Sequence, residues 1–371
     1  MTASSTAIGI SRPYGRGDAD ARAVAWWLIA VAAMVFVMVV IGGLTRLTES
    51  GLSITEWQPI MGTLPPLSEA DWQALFAKYQ QSPQFQKMFP ALTLAGFKGI
   101  FWLEYIHRLW GRLIGVAFLL PFLWFWIRGR IPQGYWPALL GLFALGALQG
   151  AVGWLMVASG LVDRPSVSHY RLATHLALAI IIYVAMLWTA FGLMQPRGGA
   201  ALERRHRAWA RLAYVLIAIT ILAGALVAGL RAGLIYNTFP LMGGSLVPSD
   251  YWLPELGWLN VFENRAAVQL HHRALATATF LAIAYLWWRV RTSGSVPARG
   301  AAHLLLGAAV LQVALGIVTL LRFGQAPPPM AEAVALGTLH QAGAMILVTA
   351  AVWFAHAARR APARAGVSAS G

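Results

Sequence analysis

EYIHRLWGRLIGVAF (residues 104–118) and QLHHRALATATFLAI (residues 269–283) are two versions of one pattern. Each is an apolar run carrying a histidine followed by an arginine, His107-Arg108 in the first and His272-Arg273 in the second. Two further pairs keep the same order. ALQGAVGWLMV (147–157) parallels VLQVALGIVTL (310–320), setting Gln149 against Gln312. THLALAIIIYVAMLW (174–188) parallels LHQAGAMILVTAAVW (339–353), setting His175 against His340. His107 to His175 is 68 residues, and His272 to His340 is 68 residues. Upstream, GLTR (43–46) answers GLR (229–231), and Pro59-Ile60-Met61-Gly62 answers Pro240-Leu241-Met242-Gly243. The chain is an internal repeat of one helical unit.

Outward from these stretches, the solvent of the repeat is a bilayer. Of 371 residues, 58% are hydrophobic and 11% charged, against roughly 25% charged in soluble domains. Eight apolar stretches, at 24–44, 105–127, 136–158, 170–194, 209–230, 268–288, 301–321 and 334–357, approach the roughly 20 residues a membrane helix needs. The expected fold is an all-α integral membrane protein whose eight transmembrane helices form two tandem four-helix bundles. Four spans per copy give both copies one orientation, related by a pseudo-two-fold axis along the membrane normal. The expected divisions are a tail at 1–23, a first half at 24–194 with a long outer loop at 45–104, a linker at 195–208, a second half at 209–357 and a tail at 358–371. Within the loop, Ser68 to Gln80 reads as an amphipathic helix, capped by Ser68 with Asp71 at its third position.

The net charge of +15 is not a nucleic-acid signature, because the arginines flank the apolar runs instead of forming one stripe. Placing both tails, the 128–135 and 289–300 turns and the 195–211 segment on one side gathers 16 of the 28 Lys and Arg there, with 3 of the 13 Asp and Glu. The positive-inside rule makes that side cytoplasmic, with both termini inside. The polar residues 1–23 lack a cleavage site, so the first run reads as a retained span. With no cysteine, disulfides, thiolate metal sites and iron–sulfur clusters are excluded.

Nine histidines are present. His169, His206, His303 and His356 sit at helix ends and read as interfacial. His107, His175, His272 and His340 recur as two pairs near the outer ends of even-numbered spans, where ionisable groups are costly and face an interior. Zinc or di-iron sites would call for cysteine or several carboxylates. Two facing neutral imidazoles suit the axial positions of a haem iron within an apolar bundle. Arg46, Arg108, Arg231 and Arg273, at the same face, are candidates for haem propionates or for interfacial anchoring. His271 adjoins His272, and register with His107 favours His272 as ligand. One asymmetry stands out. Glu104 lies one turn before His107, where the second copy has Gln269. A carboxylate in one half only points to a resident redox haem in one half and to chemistry on a haem in the other. Glu104 would there be the catalytic, proton-transfer or charge-stabilising group, with pairing to Arg108 as its structural alternative. The outer loop, confined to the first copy, reads as a lid.

GGLTRLTESGLSITEWQPIMGTLPP, EYIHR, PSVSHYRLATHL, VQLHHR and LHQAGA together resemble the haem A synthase family of proteobacteria and mitochondria, over about residues 25–357. The resemblance implies oxidation of the carbon-8 methyl of haem O to formyl by successive hydroxylations, giving haem A for cytochrome oxidase. It implies His272 and His340 as axial ligands of a b-type haem, His107 and His175 as ligands of the substrate haem, and Glu104 as the acidic residue of the oxidation. It further implies residence in the bacterial inner membrane. The partners implied are haem O synthase, cytochrome oxidase assembly factors and a second copy of the chain. Some members carry a cysteine pair in the first outer loop. This chain does not, which excludes a thiol-dependent route. The classes that compete with it are a di-haem electron carrier of the b-type and a haem transporter.

Overall fold

A computed structural model describes residues 16–56, 61–160, 165–194, 202–293, 295–325 and 330–359. Parts of both expected tails and of the linker, and the Trp57–Ile60 part of the Pro59 motif, lie outside these residues. The described residues are helical, without named strands. Eight long helices dominate: α1 (Arg16–Leu47), α2 (Leu94–Ile127), α3 (Trp136–Gly160), α4 (His169–Met194), α5 (Arg204–Gly229), α6 (Arg265–Ser293), α7 (Val296–Phe323) and α8 (Met330–Ala357). Helix is the form that satisfies every backbone group within a lipid-soluble segment.

Seven of the eight, all but α6, are long and apolar enough to cross a membrane. The expectation of eight apolar spans is therefore met by seven. α6 has the length, 29 residues or about 43 Å, but Gln269, His271, His272, Arg273, Arg289 and Arg291 lower its hydropathy. α2 starts eleven residues ahead of the expected span at 105, shortening the outer connection. Hydropathy misses this turn because it is amphipathic. Phe97, Phe101 and Tyr105 are buried against Trp72 and Tyr79 of the connection, while Lys98 pairs with Glu69 at 2.8 Å.

The connection carries the expected helix (Glu69–Gln80), closed by a capping box between Ser68 and Asp71, and a second short helix, Pro83–Met88. The Ser68 hydroxyl and amide hold the Asp71 carboxyl below its ordinary range. Burial, then the charge of Glu104, push the Tyr79 phenol up to about 12. The cap is thus a packed aromatic layer over the outer end of α2.

α1 packs on α2, α4 and α8; α3 on α2 and α4; α5 on α4 and α6; and α7 on α6 and α8. α4 and α8 meet each other, and these are the helices bearing His175 and His340. The main apolar core draws on Leu28, Phe122, Met186, Leu286, Leu305 and Phe354, all toward the arginine-rich end. His107, His175, His272 and His340 lie deep among protein atoms yet each keeps accessible surface, as side chains do along a cleft.

Candidate functional site

Each of the four histidines leans on a glycine of the helix that precedes its own. A methyl group built on Gly153 of α3 would lie 2.9 Å from Cε1 of His175 on α4, and one on Gly316 of α7 would lie 2.9 Å from Cε1 of His340 on α8. On Gly224 of α5 it would lie 3.0 Å from Cε1 of His272 on α6. On Gly42 of α1 it would lie 3.3 Å from Nε2 of His107 on α2. A side chain at Gly153 or Gly316 would force the ring to shift, and one at Gly224 or Gly42 would press on it, so four glycines define four cradles. They went unremarked in the sequence, although Gly153 and Gly316 fall four residues after the aligned Gln149 and Gln312.

The rings are paired within each half. His107 and His175 lie in electrostatic reach of each other, as do His272 and His340. His272 Nδ1 sits 3.1 Å from the Thr220 carbonyl, four residues before its cradle Gly224. That contact fixes Nδ1 as the protonated nitrogen and leaves Nε2 as a lone-pair donor. In α4 and α8 a glutamine amide faces the ring: Gln149 Nε2 is 3.3 Å from His175 Nε2, and Gln312 Nε2 is 3.5 Å from His340 Nε2. Nδ1 of both histidines and Oε1 of both glutamines are buried without a hydrogen-bond partner. The repeat thus preserves the unsatisfied polar atoms along with the histidines.

Glu104 is buried and committed to four donors. Oε2 accepts from the Ser53 hydroxyl at 2.7 Å and the Ile54 amide at 2.8 Å. Oε1 accepts from Arg108 Nε at 3.0 Å and Nη2 at 2.6 Å. Arg108 in turn donates to the carbonyls of Ile54 and Glu56. The pair therefore clamps residues 53–56 to α2. In the second half Gln269 donates to the carbonyls of Ala232 and Ile235, and Arg273 to those of Tyr236 and Thr238, clamping residues 232–238 to α6.

Arg46 and Arg231 meet between the halves, both pairing with Glu49 at 2.6 and 3.0 Å. Arg46 also caps the end of α5 through the Ala228 and Gly229 carbonyls. All four candidate arginines have partners within the chain, while Nε of Arg46 and of Arg273 stays buried and unpartnered. His271 turns to Tyr251 of the second half's own outer connection, residues 230–264, 3.1 Å from its hydroxyl, so a long outer connection is not confined to the first copy as expected, and His169 pairs with Glu263 at 3.5 Å. His303 accepts from the Trp287 indole. Among the described residues no three His, Cys, Asp or Glu side chains gather around one point. Two imidazoles per half are the available donor set, so any metal held there must bring its remaining ligands with it.

Known proteins match over most of the chain. The chain is 51% identical over 360 residues to a protein of Rhodospirillum centenum named heme A synthase, covering 95% of this chain and 94% of that one. It is 49% identical over 356 residues to a heme A synthase of Paramagnetospirillum magneticum, covering 94% and 98%. To one of Nitrosospira multiformis it is 46% identical over 345 residues, covering 91% and 94%. The family model of the cytochrome oxidase assembly protein, COX15-CtaA, matches residues 25–352. The chain belongs to this family of cytochrome oxidase assembly proteins.

Proposed function

We propose that the chain is a haem A synthase, oxidising the carbon-8 methyl of haem O to formyl by successive hydroxylations to supply haem A to cytochrome oxidase. The names borne by its relatives support this. The observation in the molecule that carries it is the repeated imidazole pair, each ring against a glycine and, among the described residues, outside any cluster of three His, Cys, Asp or Glu side chains. A haem would bring the remaining nitrogen ligands that such a set lacks, with these histidines as the residues that would hold it. Orphaned donors on Arg46 and Arg273 fit a large flat group with acidic edges.

In this reading His272 and His340 hold a resident b-type haem in the second half, and His107 and His175 receive haem O in the first. The resident haem supplies one-electron transfer when bound. Thr220 orients His272 for it through Nδ1. Glu104, one turn from His107, holds the 53–56 segment and Arg108 beside the substrate site. From there its charge acts on the oxidation. The eight long helices, α6 included, all span the bacterial inner membrane as two four-helix bundles about a pseudo-two-fold axis along its normal, with both termini cytoplasmic. The repeat-related contacts α1 on α8 and α5 on α4, either side of the α4–α8 pair, support that symmetry. Haem O synthase, oxidase assembly factors and a second copy of the chain are its partners.

The test is the haem extracted from the purified protein after co-expression with haem O synthase. Haem B together with haem A or a hydroxylated haem O is expected. Two haem B per chain and no modified haem would replace the enzyme with a di-haem electron carrier, and readily exchanged, unmodified haem with a transporter.

A further inference from the structure

α2 and α3 are joined at their arginine-rich ends by an aromatic stack. Phe118 and Phe122 of α2 each lie 6.3 Å from Phe143 of α3, and Phe122 and Trp126 each lie 5.3 Å from Trp136. Phe118 against Phe143 sets the register of two antiparallel helices of equal rise. Three residues from that pair toward the histidine end come Gly115 and Gly146, and seven residues away come Gly111 and Gly150. Eleven residues away, about 16 Å, come His107 and the exposed Trp154. Four glycines therefore flank the seam between the stack and the level of the first-half histidines.

Glycine in a membrane helix commonly lets a neighbouring helix approach closely. That is not its use here. A methyl group built on Gly115, Gly146 or Gly150 would meet nothing within 4 Å, and all three residues are exposed. One built on Gly111 would reach only Met38 of α1, in ordinary contact at 3.4 Å. The second copy shows the same seam closed. Aligned on His107 with His272 and on Gln149 with Gln312, it places Phe280, Ala309, Ala276 and Val313 where the first has Gly115, Gly146, Gly111 and Gly150. Phe280 packs against the main core and Ala309 is buried, while Ala276 and Val313 are half-buried. α6 and α7 accordingly touch along more of their length than α2 and α3 do. The open seam leads to the first-half site. Gly111 is one turn from His107, and Gly150 follows Gln149, whose amide is 3.3 Å from His175 Nε2 and whose Oε1 is buried without a partner.

Resting on the reading of the first half as the haem O site, we propose that the substrate's isoprenoid side chain passes between α2 and α3 through this glycine window into the lipid. Haem O and haem B share a macrocycle and differ by that long, largely apolar chain. The half assigned to the haem with the chain is the half with the gap. The half assigned to the haem without it fills the same four positions. Because lipid tails are as apolar as leucine, a chain in the window needs room and no polar lining. Gly115 and Gly150 are then the positions that admit a prenylated haem.

The test is native mass spectrometry of the full-length protein, purified with its resident haem from cells lacking haem O synthase and then given haem O or additional haem B. The starting protein is expected to retain one haem O per chain beyond the resident haem, and to hold added haem B more weakly. Gly115→Phe/Gly150→Val installs the second half's own side chains at exposed positions. It should cut haem O retention about tenfold or more, as over-filling a packed site does, and leave the retention of added haem B as in the starting protein. Gly115→Ala, one methyl in open space, should keep haem O. Resident haem, unchanged in each variant, reports that each is folded. Haem O retained equally by the double variant and the starting protein overturns the window. Loss of haem O and of added haem B in the same proportion, with the resident haem intact, also overturns it, because the new side chains would then be excluding the macrocycle. Failure of the starting protein to take up haem O overturns the reading of the first half itself, an outcome distinct from the other two.

Discussion

The two halves solve one mechanical problem with opposite chemistry. In each, a side chain three residues before the site histidine and the arginine just after it tie the segment following the half's first helix to the helix bearing that histidine. In the first half the backbone presents an N–H, that of Ile54, and the partner is the acceptor Glu104. In the second the backbone presents carbonyls, those of Ala232 and Ile235, and the partner is the donor Gln269. Part of the Glu/Gln difference therefore follows from which backbone group faces the helix. The rest is charge. Glu104 takes two hydrogen bonds from Arg108 at 3.0 and 2.6 Å, whereas Gln269 takes one from Arg273 at 3.4 Å. A difference between repeats that reads as an active-site acid in sequence has a structural component that only the loop conformation exposes.

The strongest way to break the equivalence of the halves is to remove the histidines one at a time. His272→Ala or His340→Ala is expected to abolish the resident haem, read as haem per protein by the pyridine haemochrome. His107→Ala or His175→Ala should keep most of that haem while haem A formation falls by orders of magnitude. Equal haem loss in all four variants would show that the halves do not divide the labour.

Next is the clamp. Arg108→Leu leaves the Glu104 carboxylate in a buried site without its main partner, a loss of about 3–5 kcal/mol for a broken buried pair. Thermal unfolding should show it. Glu104→Gln keeps the shape but places an amide where Arg108 expects a charge. If the two variants lose haem A formation equally, Glu104 is a positioning residue. If Glu104→Gln is tenfold or more the worse while unfolding at a higher temperature, its carboxylate acts on the substrate.

The fold was legible where chemistry and period coincide. Apolar runs with flanking arginines pointed to eight spans, of which seven are long and apolar enough to cross a membrane, and the histidine intervals pointed to the repeat. The eighth, α6, has the length but falls short in hydropathy, because it carries Gln269, His271, His272 and Arg273 within little more than one turn. The start of α2 was missed for a related reason, since Phe97 and Phe101 bury against the Trp72–Tyr79 layer instead of meeting lipid. The imidazole pairs were visible and their seats were not. A glycine in a membrane helix has many reasons to be there, and only three-dimensional contact distinguishes Gly153 and Gly316 from Gly146 and Gly307, around which a methyl would meet nothing.

Those seats give a finer comparison. Gly316→Ala puts a methyl 2.9 Å from His340 Cε1 and should weaken the resident haem roughly 10–100-fold, the scale on which ligand orientation matters, with a shifted Soret band. Gly153→Ala, its repeat mate, should leave that haem and its band unchanged while lowering haem A formation. Gly146→Ala, about two helix turns away in open space, is the control, and a spectral change there would detach the effect from the cradle.

The smallest effect belongs to the part of the first half that the second lacks. Ser68→Ala removes the hydroxyl that caps the outer-loop helix and should cost that helix about 1 kcal/mol, read as faster amide exchange over residues 69–80 with no change in resident haem. The same box gives the loop a pH dependence of known sign. Ser68 holds the Asp71 carboxyl below its ordinary value, so the bond's contribution is present above the normal carboxylate range and disappears as pH falls through the depressed one. Amide exchange over 69–80, corrected for its intrinsic rate, should therefore rise in acid in the starting protein. In Ser68→Ala it should already be high and respond less. If opening this helix also slows haem A formation without moving the resident haem, the cap acts on the first-half site alone. An equal response of both haems would place its influence on the bundle as a whole, through the Tyr79–Phe97 stack that seats the cap on α2.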